Sequence, residues 1–167
     1  MEFQEVNARE LKNVFKYIAD DWALVTAGTP EKWNTMTVSW GAMGEMWGKD
    51  AAFVFIRPQR YTKVFVDANE RFTISNFDGG FKKELGVCGS KSGRDIDKSA
   101  ETGLTAGFIN GVPYIEQAHS FVICRKMAEF DITPNMFTDK TIDGRWYPAK
   151  DYHRAYIAEI EKAYLKK

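Results

Sequence analysis

A chain of 167 residues in which 44% are hydrophobic and 28% charged has the balance of a globular protein with one sizeable core. Its 23 basic and 23 acidic residues cancel, which argues against a nucleic-acid partner, and no run of like charge suggests a membrane-surface patch. Five Trp, twelve Phe and seven Tyr are more aromatics than an average chain carries, and suit a packed β core or surfaces that stack a planar ligand.

In chain order, Asn7 and Glu10 stand at capping-box spacing before Leu11, Val14, Phe15 and Ile18, which predicts an N-terminal amphipathic helix. Trp22 to Thr26 reads as a short strand ending at a Gly28-Thr29-Pro30 turn. Thr35 to Trp40 mixes β-branched and aromatic residues and reads as a second strand, and Ala52 to Ile56 as a buried one that stops at Arg57-Pro58. Tyr61 to Ala68 and Phe81 to Val87 read as helices, with the strand Arg71 to Phe77 between them. Asn110-Gly111, set between apolar pairs in Gly107 to Tyr114, predicts a hairpin, and Ser120 to Arg125 a strand continuing towards Phe130. In the C-terminal stretch Tyr152, Tyr156, Ile160 and Tyr164 recur at helical spacing, while Tyr156, Ala158 and Ile160 share one face of a strand; periodicity leaves both open. Strands dominate, so an antiparallel barrel or sandwich with peripheral helices is expected, in one domain spanning 1–167.

Several chemistries are disfavoured. Cys88 and Cys124 are isolated, as are His119 and His153, so neither a metal site nor a disulfide framework is expected, and Cys88 reads as structural. Met43 stands where a phosphate-binding loop ending in Gly48-Lys49 requires glycine, with Asp50 in place of Ser/Thr, and no Gly-x-Gly-x-x-Gly follows a strand. Trp40, Trp47 and Trp146 read as packing residues. The N-terminal stretch MEFQEVNARELK lacks the apolar core of a signal peptide, and Ala51 to Ile56 is far too short to span a bilayer, so a cytoplasmic protein is expected.

Three segments carry the chemistry that remains. Asn34-Thr35-Met36-Thr37-Val38-Ser39-Trp40 sets hydroxyls and an amide beside large apolar side chains, the mixture a flavin ring needs on its face and edge. Arg57-Pro58-Gln59-Arg60-Tyr61-Thr62 presents two arginines from a stiffened turn where a strand ends and a helix starts, a place for a phosphate. Cys88 to Lys98 is a Gly/Ser loop with Lys91, Arg94 and Lys98, a candidate anion or ribityl-phosphate cradle.

These stretches, with Asp151-Tyr152-His153-Arg154, occur in the order found in the flavin reductase-like, FMN-binding split-barrel family, and the chain resembles its flavoredoxin-type branch over nearly its whole length. The resemblance implies a mainly β fold, a six-stranded antiparallel Greek-key split barrel with peripheral α-helices, and it favours a strand over Tyr152 to Ile160. It further implies a homodimer with FMN near the subunit interface. Carried over by position, Asn34, Thr35, Met36, Thr37, Val38, Ser39 and Trp40 line the isoalloxazine, and Arg57, Arg60, Tyr61 and Thr62 hold the phosphate. Ser90, Ser92, Gly93, Asp95 and Lys98 close over the ribityl chain or the ring edge, from the same or the neighbouring subunit, and Tyr152 and His153 approach the site. The function implied is an NAD(P)H-dependent flavin reductase, with NADH or NADPH stacking on bound FMN and passing hydride to it. No catalytic residue is assigned; His153 is the one candidate for a proton relay or nicotinamide contact. The alternatives are a flavoredoxin-like electron carrier between redox protein partners and a module for a different phosphorylated ligand.

Overall fold

The structure, a computed structural model, describes residues 2–11 and 15–167. Among these residues there are ten strands: β1 (Phe3–Val6), β2 (Ala23–Gly28), β3 (Trp33–Val38), β4 (Gly41–Met46), β5 (Lys49–Ile56), β6 (Arg71–Asn76), β7 (Ala106–Ile109), β8 (Val112–Ile115), β9 (Ser120–Asp131) and β10 (Arg154–Lys166). Four helices join them: α1 (Tyr61–Ala68), α2 (Lys82–Ser90), α3 (Lys98–Thr102) and α4 (Thr141–Trp146). Eight strands form one antiparallel sheet in the order β3-β2-β6-β9-β10-β5-β4, with β1 added on β10, and β7-β8 make a separate hairpin. This is the expected mainly β, split-barrel architecture; β1 and β4 join the six strands anticipated.

The outermost strands on this path, β3 and β4, are consecutive in sequence and are linked by Ser39 and Trp40 alone. The split in the barrel therefore runs along β3 and β4, where backbone groups have no further strand to pair with. Helices cover part of that edge: the Thr37 hydroxyl donates to Leu85 O at 2.5 Å, and the Lys98 ammonium donates to Thr35 O at 2.7 Å. Such side-chain capping keeps an edge strand from templating another chain.

Strand β2 is buried on both faces, for a physical reason. Ala23, Val25 and Ala27 point into the barrel core with Val54, Ile74, Val122 and Tyr156, while Leu24 packs outward against Leu85, Cys88 and Ile115 beneath α2 and the β7-β8 hairpin. Burying each of the large side chains contributes about 1.5–3 kcal/mol. Helix α1 spans the residues expected of it and sends Phe65 and Val66 into the barrel core. Asn110 and Gly111 both take positive φ (49° and 80°), the twist that a two-residue hairpin requires.

Four local expectations need correction. The Asn7/Glu10 capping box forms, but it caps one 3-10 turn (Ala8–Glu10); a π-type turn (Lys16–Asp20) follows, and Val14 lies outside the described residues. Trp22 precedes β2 with φ of 66°, a value no strand adopts. Cys88, Gly89 and Ser90 form the last turn of α2 rather than a loop. Trp47 is not a packing residue: it is 60% exposed in the β4-β5 turn, with φ of 56° ahead of Gly48 at 71°.

The C-terminal stretch is a strand, as the resemblance implied, but runs from Arg154 to Lys166 and leaves Tyr152 and His153 ahead of it. Its pairing with β9 shifts register between Ile157 and Ala158 and again between Ile160 and Lys162. Each shift resets which face a side chain takes, so the two-residue alternation never accumulates. Among the described residues no helix is long and apolar enough to cross a membrane, and no cluster of His, Cys, Asp or Glu could hold a metal ion.

Candidate functional site

Strand β3 leaves the sheet at Val38, β5 ends at Ile56, and β10 starts after His153, all at one end of the barrel. There Met36, Thr37, Val38, Ser39, Trp40, Phe55, Arg57, Arg60, Trp146 and His153 surround a cavity of ≈ 300 Å³. A second cavity of ≈ 570 Å³ is lined by Asn34, Gly93, Asp95 and Lys98, among others. The three segments singled out in sequence are in direct contact around these two spaces. Arg60 donates to Gly89 O, Arg94 lies 4.4 Å over the Tyr61 ring, and the Asn34 amide donates to Thr62 Oγ1 at 2.8 Å. Gly93 packs so closely that a methyl group there would overlap Asn34 Oδ1.

Not every expected residue reaches a cavity. Thr35 is buried, bonded to Thr26 Oγ1 at 2.9 Å and to Val25 O at 3.1 Å, and braces β3 against β2. Thr62 is buried and engaged by Asn34. Ser90 back-bonds to Gly86 O within α2, and Ser92 caps its own turn by accepting from Arg94 N. Tyr61 forms the platform under Arg94, and Tyr152 donates to Asp143 at 2.7 Å, away from the cavity.

The cations divide into two kinds. Arg57 is paired with Asp151 at 2.6 Å, donates to Trp146 O at 2.9 Å and lies 5.0 Å over the Tyr147 ring. Arg60 and Lys98 have no carboxylate within ion-pair distance among the described residues. Instead they hold the last carbonyls of α2: Arg60 on Gly89 O, and Lys98 on Cys88 O at 2.8 Å. Those carbonyls satisfy hydrogen bonds and carry partial negative charge, yet leave most of two positive charges uncompensated. Burial pulls both pKa values down from their ordinary ranges, with Arg57 adding to the effect on Arg60 and Arg60 to that on Lys98. An anion bound here would relieve that cost.

Aromatic rings form another part of the wall of the first cavity. The Trp40 ring lies 5.3 Å from Trp146 and 4.9 Å from His153, centroid to centroid. His153 is buried and shares a hydrogen bond with the Tyr147 hydroxyl through Nδ1 at 2.9 Å. Burial, then Arg57, pushes its pKa down to about 4, so the ring is neutral at physiological pH. Because the unfolded chain takes up this proton near pH 6.5 and the folded chain only near 4, stability is full above about 6.5 and falls as pH drops through that window. The loss is on the order of 3 kcal/mol from this group. His153→Gln should flatten the pH dependence of the urea midpoint between pH 6.5 and 5; an unchanged slope would place the titration elsewhere.

Sequence reasoning gave no role to Phe55, Gln59 or Asp151, and took Trp146 for packing. Asp151 carried a signal, since it begins the Asp151-Tyr152-His153-Arg154 stretch, but its partner lies 94 residues away. Cys88 and Cys124 are buried free thiols whose pKa values burial raises, which leaves no nucleophilic thiolate at the site.

A family model described as flavin reductase like domain matches residues 15–167. No curated protein matches the chain in sequence. Among solved structures, flavoredoxin from Methanosarcina acetivorans is similar with a TM-score of 0.68 at 20% identity, covering 88% of this chain and 69% of that one. The FMN-binding domain of a flavin reductases-like enzyme from Shewanella baltica OS155 gives 0.71 at 17% identity, covering 98% and 77%. An NADH:FAD oxidoreductase of Streptomyces globisporus, solved with NAD and FAD fragments, gives 0.64 at 14% identity, covering 87% and 75%. At such identities the neighbours speak to the fold alone, whereas the family model takes in every strand of the barrel from β2 to β10. The chain belongs to the flavin reductase-like family.

Proposed function

We propose that this protein binds FMN non-covalently and works as an NAD(P)H-dependent flavin reductase. One observation supports the cofactor above all: Arg60 and Lys98, with no carboxylate at ion-pair distance among the described residues, converge on the end of α2, Arg60 lining the cavity walled by aromatic rings and Lys98 the second cavity. Surplus positive charge next to an apolar, stacking surface is the pairing that a phosphorylated, planar ligand calls for. In this reading Arg60 and Lys98 neutralise the phosphate, helped by the start of α1, which no side chain caps. Met36 to Trp40 offer the ring an apolar face and, past the end of β3, the backbone groups of Ser39 and Trp40 for its polar edge. FMN supplies a two-electron redox centre when bound. The neutral His153 imidazole and the half-exposed Trp40 and Trp146 edges shape the opening through which a nicotinamide would enter. The same reading expects a cytoplasmic homodimer, with the partner subunit completing the cavity.

The purified protein should be yellow and release FMN on denaturation. On anaerobic mixing with NADH or NADPH the flavin absorbance should bleach rapidly. Bleaching only by a reduced protein partner would make the chain an electron carrier, and a colourless protein that takes up no added FMN would refute the cofactor itself.

A further inference from the structure

Two arginines three residues apart look equivalent in sequence, and both were expected on the phosphate. Their surroundings differ in kind. The Arg57 guanidinium is spent within the protein: Nη1 meets Asp151 Oδ1 at 2.6 Å, Nη2 reaches Trp146 O at 2.9 Å, and the plane covers the Tyr147 ring. Asp151 is held from its other side too, since the Gln59 amide donates to Oδ2 at 2.7 Å. Side chains of Arg57 and Asp151 are 22% and 21% exposed, so this pair is screened less than a surface ion pair. Arg60 spends its contacts on Gly89 O and no carboxylate.

What Arg57 holds is the end of α4 and the segment that follows it. Trp146, Tyr147, Asp151 and His153 lie there, and Trp146 and His153 line the cavity together with β3, Phe55, Arg57 and Arg60. Tyr147 in turn fixes the His153 ring through its hydroxyl, and Trp146 meets Trp40 edge to face. A cation planted at the end of β5 thus pins a stretch ninety residues downstream by an ion pair, a carbonyl contact and a ring contact together.

We infer that Arg57 is a positioning residue, a latch that locks the aromatic wall of the cavity in place through Asp151 and Trp146, while Arg60 alone of the two faces the anion. The flavin affinities in its test rest on the cofactor reading above; the latch itself is read separately.

The test uses the full-length protein with Arg57→Met, Asp151→Asn and Arg60→Met, titrated with FMN and with riboflavin, which lacks the phosphate. Arg57→Met and Asp151→Asn should weaken both ligands by the same factor, roughly three- to tenfold, leaving their affinity ratio within about twofold of the wild type. Arg60→Met should cut that ratio by at least about tenfold. Since both latch variants break the Arg57–Asp151 pair, the double variant should bind no worse than Arg57→Met alone. Acrylamide quenching of tryptophan, read without ligand, should show increased exposure for Arg57→Met and Asp151→Asn, at least as large in the first, and none for Arg60→Met. Arg57→Met collapsing the FMN-to-riboflavin ratio while Asp151→Asn preserves it would overturn the latch, and so would quenching unchanged in both latch variants. A wild type that binds neither flavin, with the quenching pattern as expected, would sink the cofactor reading and keep the latch.

Discussion

Arg60→Met should weaken FMN binding by roughly ten- to a hundredfold, because a hydrogen bond to a charged group contributes about 1.5–3 kcal/mol. Riboflavin affinity should change little. The substitution keeps the length and apolar bulk of the side chain and removes the charge that no carboxylate balances. In the wild type that charge is held in the fold at a cost, which burial and the neighbouring Arg57 both increase. A bound dianion offsets that cost; without a ligand, removing the guanidinium should leave stability unchanged or raise it, apart from the contact to Gly89 O. The expected pattern is therefore opposite in sign for the two measurements: weaker FMN binding, equal or higher urea midpoint. Raising the salt concentration should narrow the FMN difference between wild type and variant, as screening weakens the wild-type attraction. Equal losses for FMN and riboflavin would remove Arg60 from the anion site.

Lys98 differs from Arg60 in what else it does. Its ammonium bridges Thr35 O on β3 and Cys88 O on α2, so it fastens the helix over the edge strand as well as adding charge. Loss of that amine would strand two buried carbonyls, and a phosphate role there would be read against a background of altered folding. Arg60 is the cleaner probe for that reason.

How far the sequence revealed all this depended on range. The turn from Arg57 to Thr62 was readable because its signals are local: an apolar strand stops, Pro58 fixes φ, and an amphipathic run follows, and α1 matches the expected span. The hairpin at Asn110-Gly111 was readable for the same reason. Strand β4 was not, since Gly41-Ala42-Met43-Gly44-Glu45-Met46 holds no β-branched or aromatic residue, and it forms only because β5 pairs with it. The end of α2 looked like a loop because Gly86, Gly89 and Ser90 are poor helix formers; Cys88 and Leu85 packing beneath the sheet overrides them. The site showed the same division. Residue types drew attention to the right segments, but which arginine is neutralised depends on Asp151, and no local pattern encodes a contact between the end of β5 and the start of β10. That no carboxylate stands at ion-pair distance from Arg60 or Lys98 among the described residues is likewise a property of the folded arrangement, in a chain whose overall charge is balanced.

Gly28→Ala should be the most damaging small substitution in the site's framework, lowering stability by roughly 3–5 kcal/mol and the melting temperature by about 10 °C or more. Gly28 ends β2 with φ of 132°, a conformation that side chains rarely adopt. A methyl group there would overlap the Lys32 carbonyl oxygen and come within 2.5 Å of Trp33 Cα. Both are backbone atoms, held by the reciprocal Thr29–Lys32 hydrogen bonds of the turn (2.9 and 3.2 Å), so no rotamer change can relieve the clash. Relief requires β3 to move, and with it Asn34 and the Met36 to Trp40 wall, so flavin affinity should fall together with stability. Gly86→Ala supplies the opposite case. Its position lies in α2, at ordinary helical φ, with nothing within 4 Å of a new Cβ, and alanine there should stabilise by about 0.5–1 kcal/mol. A thermal melt of each variant, paired with an FMN titration, checks both signs at once. Should Gly28→Ala melt like the wild type, the β2-β3 turn would not have the geometry on which the position of the pocket strand depends.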